Sequence, residues 1–451
     1  MPIETVPESG LQYYLIAFDA LGQEREEADG KMSQKLLEVL ETEPSTDIFI
    51  FSHGWLGDIP GARDQYNRWL TVMARQKQDI DRMRQARPKF KPLLIGLHWP
   101  SKPWGNEELE NAGVSFAGPE ADAATKTPDF IDSLVEQYAD RIANTTPSRQ
   151  ALRTILTAAS EDPMPDELPL EVQDAYRVLQ QEAGLTAEGE GAAPGFDRDV
   201  FDPGQIYEEA DFESDGDISF GSSSWNFDRV LAPLRTLSFW KMKDRARQFG
   251  ETGGAQLLIR LQQATDKQVQ FHLMGHSFGC IVVSAMLAGT TSKSNLLRPV
   301  DSVVLVQGAL SLWSYCSNIP PKPGRPGYFH DLIRDRRVRG PIVTTQSVHD
   351  TAVRIMYPLG VEVAGQYDYS PGLLPIYGSM GTFGAQGPGL EIVMMPMLPT
   401  DQQYGYEIGK IYNLNGTSYI CDKSGGGLGG AHNDIAKPEV AHAVWQAALC
   451  S

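Results

Sequence analysis

Val269-Gln-Phe-His-Leu-Met-Gly-His-Ser-Phe-Gly-Cys-Ile-Val-Val-Ser-Ala-Met-Leu holds the reading on which the fold turns. A β-rich apolar run, Val269–Met274, passes without a gap into Gly275-His276-Ser277-Phe278-Gly279, and then into the small, apolar, helix-like Cys280–Leu287. The central pentapeptide is a G-x-S-x-G pattern, and its two flanks give it meaning. A tight turn from strand into helix lifts the Ser277 hydroxyl above a sheet, and glycines on both sides let the backbone bend and neighbouring elements approach. The same turn aims the helix N-terminus at any negative charge that develops beside the serine. Ser277 is therefore expected to be a nucleophile, with Gly275, His276 and Gly279 as its elbow.

Outward from this stretch, short apolar runs alternate with helical ones. Tyr13–Phe18, Asp47–Phe51, Pro92–Leu97, Gln268–Met274, Ser302–Val306 and Ile342–Thr345 read as strands, several of them apolar throughout, as strands covered on both faces are. Between them Lys31–Leu40, Ala62–Ala74, Trp240–Ala264 and Cys280–Leu287 read as helices. Strand and helix in alternation predict an α/β protein with a mostly parallel central sheet flanked by helices. Near the end, Glu407–Asn413, Asn415-Gly416 and Ser418–Cys421 read as a hairpin, because Asn-Gly favours the turns that join antiparallel strands.

With 451 residues the chain exceeds the size of a usual single core, and its charge shows where the excess lies. The net charge is −19, yet residues 106–224 alone hold 27 acidic and six basic side chains, a local net of −21. That segment, with helical patterns near Phe130–Ile142, Ala151–Ala159 and Leu170–Gln181, reads as a large acidic insertion. Residues 1–105 and 225–451 are then the two parts of the core. So acidic a chain repels phosphate backbones, so nucleic acid is excluded as a partner. The four cysteines lie far apart, with no C-x-x-C pair, against a zinc ribbon or a disulfide framework. The first residues lack the basic region and apolar run of a secretory signal, and no stretch of 18 apolar residues suggests a transmembrane segment. The expected location is cytoplasmic, with export by a signal-independent route left open.

A serine hydroxyl needs a base to take its proton, and the chain has eight histidines. His432 follows a glycine-rich loop in Gly429-Gly-Ala-His-Asn-Asp, where a loop can set an imidazole beside the serine, while His442 lies in the helical Pro438-Glu-Val-Ala-His-Ala-Val-Trp. His432 is preferred and His442 is its rival. An acid to orient the imidazole belongs after a strand, and Ile342-Val-Thr-Thr-Gln-Ser-Val-His-Asp ends in Asp350. Asp331, Asp335 and Asp368 are the alternatives, the first two in a stretch with Arg334, Arg336 and Arg337 that reads as a solvated ion-pair face. An oxyanion hole needs two backbone N–H groups. Phe278 supplies one, and the strand-end loop His53-Gly54-Trp55 supplies the other through Trp55.

These residues together resemble the α/β-hydrolase superfamily over roughly Leu11–Gly105 and Trp225–Ser451. Four further segments, His98-Trp-Pro-Ser-Lys-Pro-Trp-Gly, Ser238-Phe-Trp-Lys-Met-Lys-Asp-Arg-Ala, His349-Asp-Thr-Ala-Val and His432-Asn-Asp-Ile, look like those of a poorly characterised, mostly microbial branch of it. The resemblance implies the α/β-hydrolase fold with a mostly parallel eight-stranded sheet, a cap of variable size (here the acidic insertion), a Ser-Asp-His triad and no cofactor or metal. Its order of nucleophile, acid and base sets aside His53, His98, His272 and His276, and leaves His330, His349, His432 and His442. The expected activity is that of a serine esterase, lipase-like, acting on a small-molecule or lipid-like carboxylic ester through an acyl-enzyme. An amidase or thioesterase on the same triad, and a non-catalytic binding module on the same scaffold, are the alternatives. Two other motifs are set aside. Gly425-Gly-Gly-Leu-Gly-Gly contains G-x-G-x-x-G but opens no βαβ unit. Asp211-Phe-Glu-Ser-Asp-Gly-Asp begins like a calcium loop, yet Ser222 stands where the bidentate Glu belongs.

Overall fold

The computed structural model describes the chain apart from residues 1–2, 8, 27–29, 56–57, 102–127, 163–164, 186–200, 213–228, 290–295, 356–373, 376, 424–429 and 451. Nine strands form one sheet: β1 (Glu4–Thr5), β2 (Gln12–Ala17), β3 (Asp47–Ser52), β4 (Pro92–His98), β5 (Gln270–His276), β6 (Ser302–Val306), β7 (Ile342–Gln346), β8 (Ile392–Pro396) and β9 (Ile411–Asn415). Their order is β1-β2-β4-β3-β5-β6-β7-β9-β8, and every pair but β1–β2 is parallel. The protein is thus α/β, with a mostly parallel sheet, as the alternating pattern predicts.

The apolar strands are explained by helices on both faces. Successive side chains of a strand point to opposite sides. In β3, Ile48 and Ile50 enter one buried cluster with Phe271, Leu273, Val303 and Leu305, while Phe49 and Phe51 enter another with Met274, Val304, Val306 and Tyr412. Helices Met32–Thr42, Ala232–Phe249, Ala255–Gln263 and Gly279–Ala288 cover the first face, and helices Ile59–Arg75, Lys77–Ala86 and Pro438–Leu449 the second. Burial on both sides removes any pressure for polar residues in the middle strands.

Three sequence expectations need correction. The proposed C-terminal hairpin is absent: Ile411–Asn415 runs parallel to β7 on one side and β8 on the other. Gly416 and Ile420 then close a tight turn in which Ile420 N–H donates to Gly416 O, and Ser347 Oγ donates to Ile420 O. Burial of Tyr412 and Leu414 on the second face decides the pairing over the local Asn-Gly signal. The edge strands β1 and β8, both unforeseen, enter the sheet while Ser418–Cys421 does not, so it is nine-stranded instead of eight-stranded. The helix expected over Trp240–Ala264 is interrupted by one wide turn, Gly250–Gly254, where a Cβ on Gly250 would lie 2.6 Å from Val282 O of the neighbouring helix.

The acidic segment is helical where it is described: Pro128–Ile142, Thr146–Glu161, Leu170–Glu182 and Pro203–Phe212. It is anchored on helix Ala232–Phe249, with the Phe201 and Trp240 rings 5.7 Å apart and Lys241 Nζ donating to Ala183 O at 2.7 Å. The calcium-like turn and the glycine run before Gly430 fall largely outside the described residues. Among those described, no helix is long and apolar enough to cross a membrane.

Candidate active site

At the carboxyl end of β5 the chain turns straight into helix Gly279–Ala288, and Ser277 sits in the turn with φ +54°. This left-handed conformation is costly for any residue with a Cβ and is held by its surroundings. Gly275 and Gly279 make it feasible. A Cβ on Gly275 would clash with the Gly279 backbone, and one on Gly279 with Ser52 and His53 O at the end of β3. The serine N–H donates to Val306 O at 3.1 Å, tying the elbow to the end of β6. Among the described residues no backbone carbonyl accepts the Phe278 N–H, which opens the helix.

The loop after β3 lies directly against the serine. A Cβ on Gly54 would stand 2.6 Å from Ser277 Cβ and 3.2 Å from its Oγ, so only glycine leaves this space open. His53 is fully buried and acts as a scaffold for the loop. Its N–H donates to Tyr66 Oη (2.9 Å), its ring stacks on Trp99 at 5.7 Å, and its Nδ1 meets Gly54 O at 2.9 Å while Nε2 meets His98 Nδ1 at 3.1 Å. A carbonyl only accepts, so Nδ1 carries the proton. In a trans peptide the C=O and the next N–H point in opposite directions, so fixing Gly54 O toward His53 turns the Trp55 N–H the other way. The Trp55, Phe239 and Phe278 rings cluster beside the serine, with centroids 4.9–6.0 Å apart.

His432 and Asp350 come together as the strand pattern predicts. Nδ1 of His432 is 2.8 Å from Oδ2 of Asp350, whose side chain is fully buried. The two loops are paired by an antiparallel bridge between Asp350 and Gly430, and Ala431 N–H donates to His349 O at 2.8 Å. The pair is therefore fixed through backbone as well as side chains. Among the described residues no hydrogen bond joins Ser277 Oγ to His432; the two are linked through His276. Its ring lies 4.7 Å from that of His432, its Nε2 donates to His432 O at 3.0 Å, and its Nδ1 accepts from Gln65 Nε2 at 3.0 Å. Burial, and next the neighbouring His432, hold the His276 pKa well below the usual histidine value, in keeping with a neutral ring. Apo sites often hold nucleophile and base apart until substrate is bound.

The rivals are placed elsewhere. His442 is fully buried, with Nδ1 at 2.6 Å from Asp79 Oδ2 and Nε2 at 2.6 Å from Gln402 O, so neither nitrogen is open. His330 Nδ1 meets Tyr315 O. His272 lies within β5, between Ser302 and Asp47, with its pKa lowered chiefly by burial. Asp331 and Asp335 pair with Arg334 on the surface, and Asp368 lies outside the described residues.

One residue of the site escaped sequence reading. Gln307, immediately after β6, donates from Nε2 to the Asp350 oxygen that also meets His432, at 2.8 Å. The only hint in the sequence is a polar residue followed by Gly308 at a strand end. Among the described residues no cluster of three or more His, Cys, Asp or Glu side chains is arranged to hold a metal ion. Comparison with protein-family models, with curated proteins and with solved structures finds no match.

Proposed function

We propose that the protein is a serine hydrolase with the α/β-hydrolase arrangement, cleaving carboxylic esters through an acyl-enzyme. The observation that carries this reading is Ser277 in a left-handed turn between two touching glycines at the end of β5, with a buried His432–Asp350 pair held against its chain neighbour His276. The order of the residues along the sheet supports it, with nucleophile after β5, acid after β7 and base after β9, the strand that neighbours β7.

The chemistry follows from the geometry. Ser277 Oγ attacks the ester carbonyl carbon as its proton passes to His432 Nε2, the ring nitrogen not engaged by Asp350. The carbonyl oxygen gains negative charge beside the N–H groups of Phe278 and Trp55. Collapse of the tetrahedral adduct breaks the C–O bond, and His432 gives its proton to the departing alcohol. Water then gives a proton to His432 and attacks the acyl carbon, releasing the carboxylic acid and restoring Ser277. Asp350 keeps the Nδ1–H of His432 directed at itself, so that Nε2 faces the serine. The aromatic group of Trp55, Phe239 and Phe278 suits an apolar acyl or alcohol portion.

A panel of p-nitrophenyl esters, lactones, amides and thioesters tests the reaction class. A fluorophosphonate probe should label Ser277, and Ser277→Ala should lose labelling and roughly 10⁴–10⁶-fold in turnover. Full turnover in that variant, or a label mapped to another serine, would remove the nucleophile assignment.

A further inference from the structure

We propose that Gln307 is a fourth member of the site, a positioning residue that fixes the Asp350 carboxylate and shares it with His432. The inference rests on the hydrolase reading for its catalytic meaning, but the contacts stand by themselves. Gln307 is fully buried and has φ +46°. Among the described residues only Ser277, Gln307 and Arg336 are non-glycine with positive φ, and the first two end adjacent strands of the sheet. Strain of this kind persists where surrounding structure enforces it and gathers at functional sites.

Every polar group of the Gln307 side chain is assigned by its neighbours. The backbone N–H donates to Thr345 Oγ1 at 3.0 Å, so the threonine hydroxyl is free to donate back to Oε1, also at 3.0 Å. This leaves the amide NH₂ facing Asp350 Oδ2 at 2.8 Å. His432 Nδ1 lies 2.8 Å from that same oxygen, while the Val353 N–H reaches Oδ1 at 3.3 Å. The Gln307 backbone is itself wedged, since a Cβ on Gly381 of the short helix Met380–Phe383 would stand 2.8 Å from its carbonyl carbon. One carboxylate oxygen thus answers to a neutral donor from the end of β6 and to the imidazole from the loop after β9. The neutral donor draws on the charge that the imidazolium would otherwise have to itself. Gln307 therefore sets both the direction of the carboxylate and the basicity of His432.

The test reads His432 directly. The chain holds eight histidines, few enough for ¹³Cε1-histidine NMR titration, with His432→Asn to assign the resonance. His276, facing His432 from the end of β5, has its pKa held well below the usual value chiefly by burial and so leaves the titration window clear. In Gln307→Met, which keeps length but removes the donor, the His432 midpoint should rise by roughly half a unit to one unit. kcat/KM for an ester should fall roughly 10- to 100-fold with KM little changed, and its acid limb should move with the NMR midpoint. Gln307→Leu, smaller and likewise without a donor, keeps the proposal testable if the methionine variant does not fold: its midpoint should rise by a similar amount. A midpoint that stays put in the folded variants would overturn the proposal and leave Gln307 as core filling. If the unaltered protein neither turns over any ester nor takes the fluorophosphonate, the hydrolase reading fails while the NMR comparison still decides whether Gln307 governs the pair.

Discussion

Two buried histidine–aspartate pairs lie in this molecule, one joining the loops after β7 and β9 and the other joining helices Lys77–Ala86 and Pro438–Leu449, and they differ in what the imidazole leaves open. His432–Asp350 and His442–Asp79 both join Nδ1 to a carboxylate oxygen, at 2.8 and 2.6 Å. The difference is in the second nitrogen. In His442 it is engaged by Gln402 O, and Asp79 is further held by Arg82 and by Gln446 Nε2 at 2.8 Å. In His432 it has no hydrogen-bond partner among the described residues. A histidine with both nitrogens committed can cross-link helices but cannot shuttle a proton, so the open second nitrogen is what distinguishes His432 from His442.

The largest effect expected from breaking this comparison is on rate. His432→Ala and Asp350→Asn should each lower turnover by roughly 10³–10⁵-fold, and the double variant should lose little more because the triad acts as a unit. Simple multiplication of the two losses in the double variant would mean that they act independently. His442→Ala should do the reverse, leaving the rate per folded molecule within about threefold while costing about 1–3 kcal/mol in chemical denaturation, because it removes one buried hydrogen bond to Asp79, which Arg82 and Gln446 still hold, and leaves a cavity. An inactive but fully stable His442→Ala protein would exchange the roles assigned to the two pairs.

A smaller effect comes from histidines that are kept neutral. His276 and His272 both have pKa values lowered chiefly by burial, so the unfolded chain binds their protons more readily than the folded one. Their contribution to stability is complete above the unfolded value of about 6.5 and is lost as pH falls below it, by up to about 1.4 kcal/mol per pH unit for each. Denaturation midpoints measured from pH 7.5 down to 5 should therefore drop, and His276→Asn should flatten part of that slope. The smallest effect tests the reach of the acidic insertion to the site pair. With a local net of −21 over residues 106–224, kcat/KM for an anionic ester should rise roughly two- to fivefold between low and high salt, against little change for a neutral ester. Equal salt responses would place that field away from Ser277.

What was legible in the sequence was whatever local chemistry dictates. The elbow showed itself because Ser277 needs its glycines within two residues, and the central strands because burial on both faces leaves them apolar throughout. Asp350 and His432 could be named because each follows a strand end. The misread parts depend on distant partners. Ile411–Asn415 carried a strong turn signal after it, but its neighbours β7 and β8 lie elsewhere in the chain. β8 itself, Ile392-Val-Met-Met-Pro, is short and ends in proline, which gives weak local evidence of a strand. Gln307 gave almost no signal, since its value lies in reaching a carboxylate 43 positions away.

The left-handed turn at Ser277 also makes the proposed function measurable as stability. The position lies where glycine is at ease and every other residue is strained by roughly 1 kcal/mol. Selection for folding alone would favour glycine there, so under the proposed function a serine in this turn gives up firmness for a reactive hydroxyl. Ser277→Ala removes the hydroxyl and keeps the strain, whereas Ser277→Gly removes both. The glycine variant should be as inert as the alanine one and melt at a higher temperature, an inactive protein sturdier than its active parent.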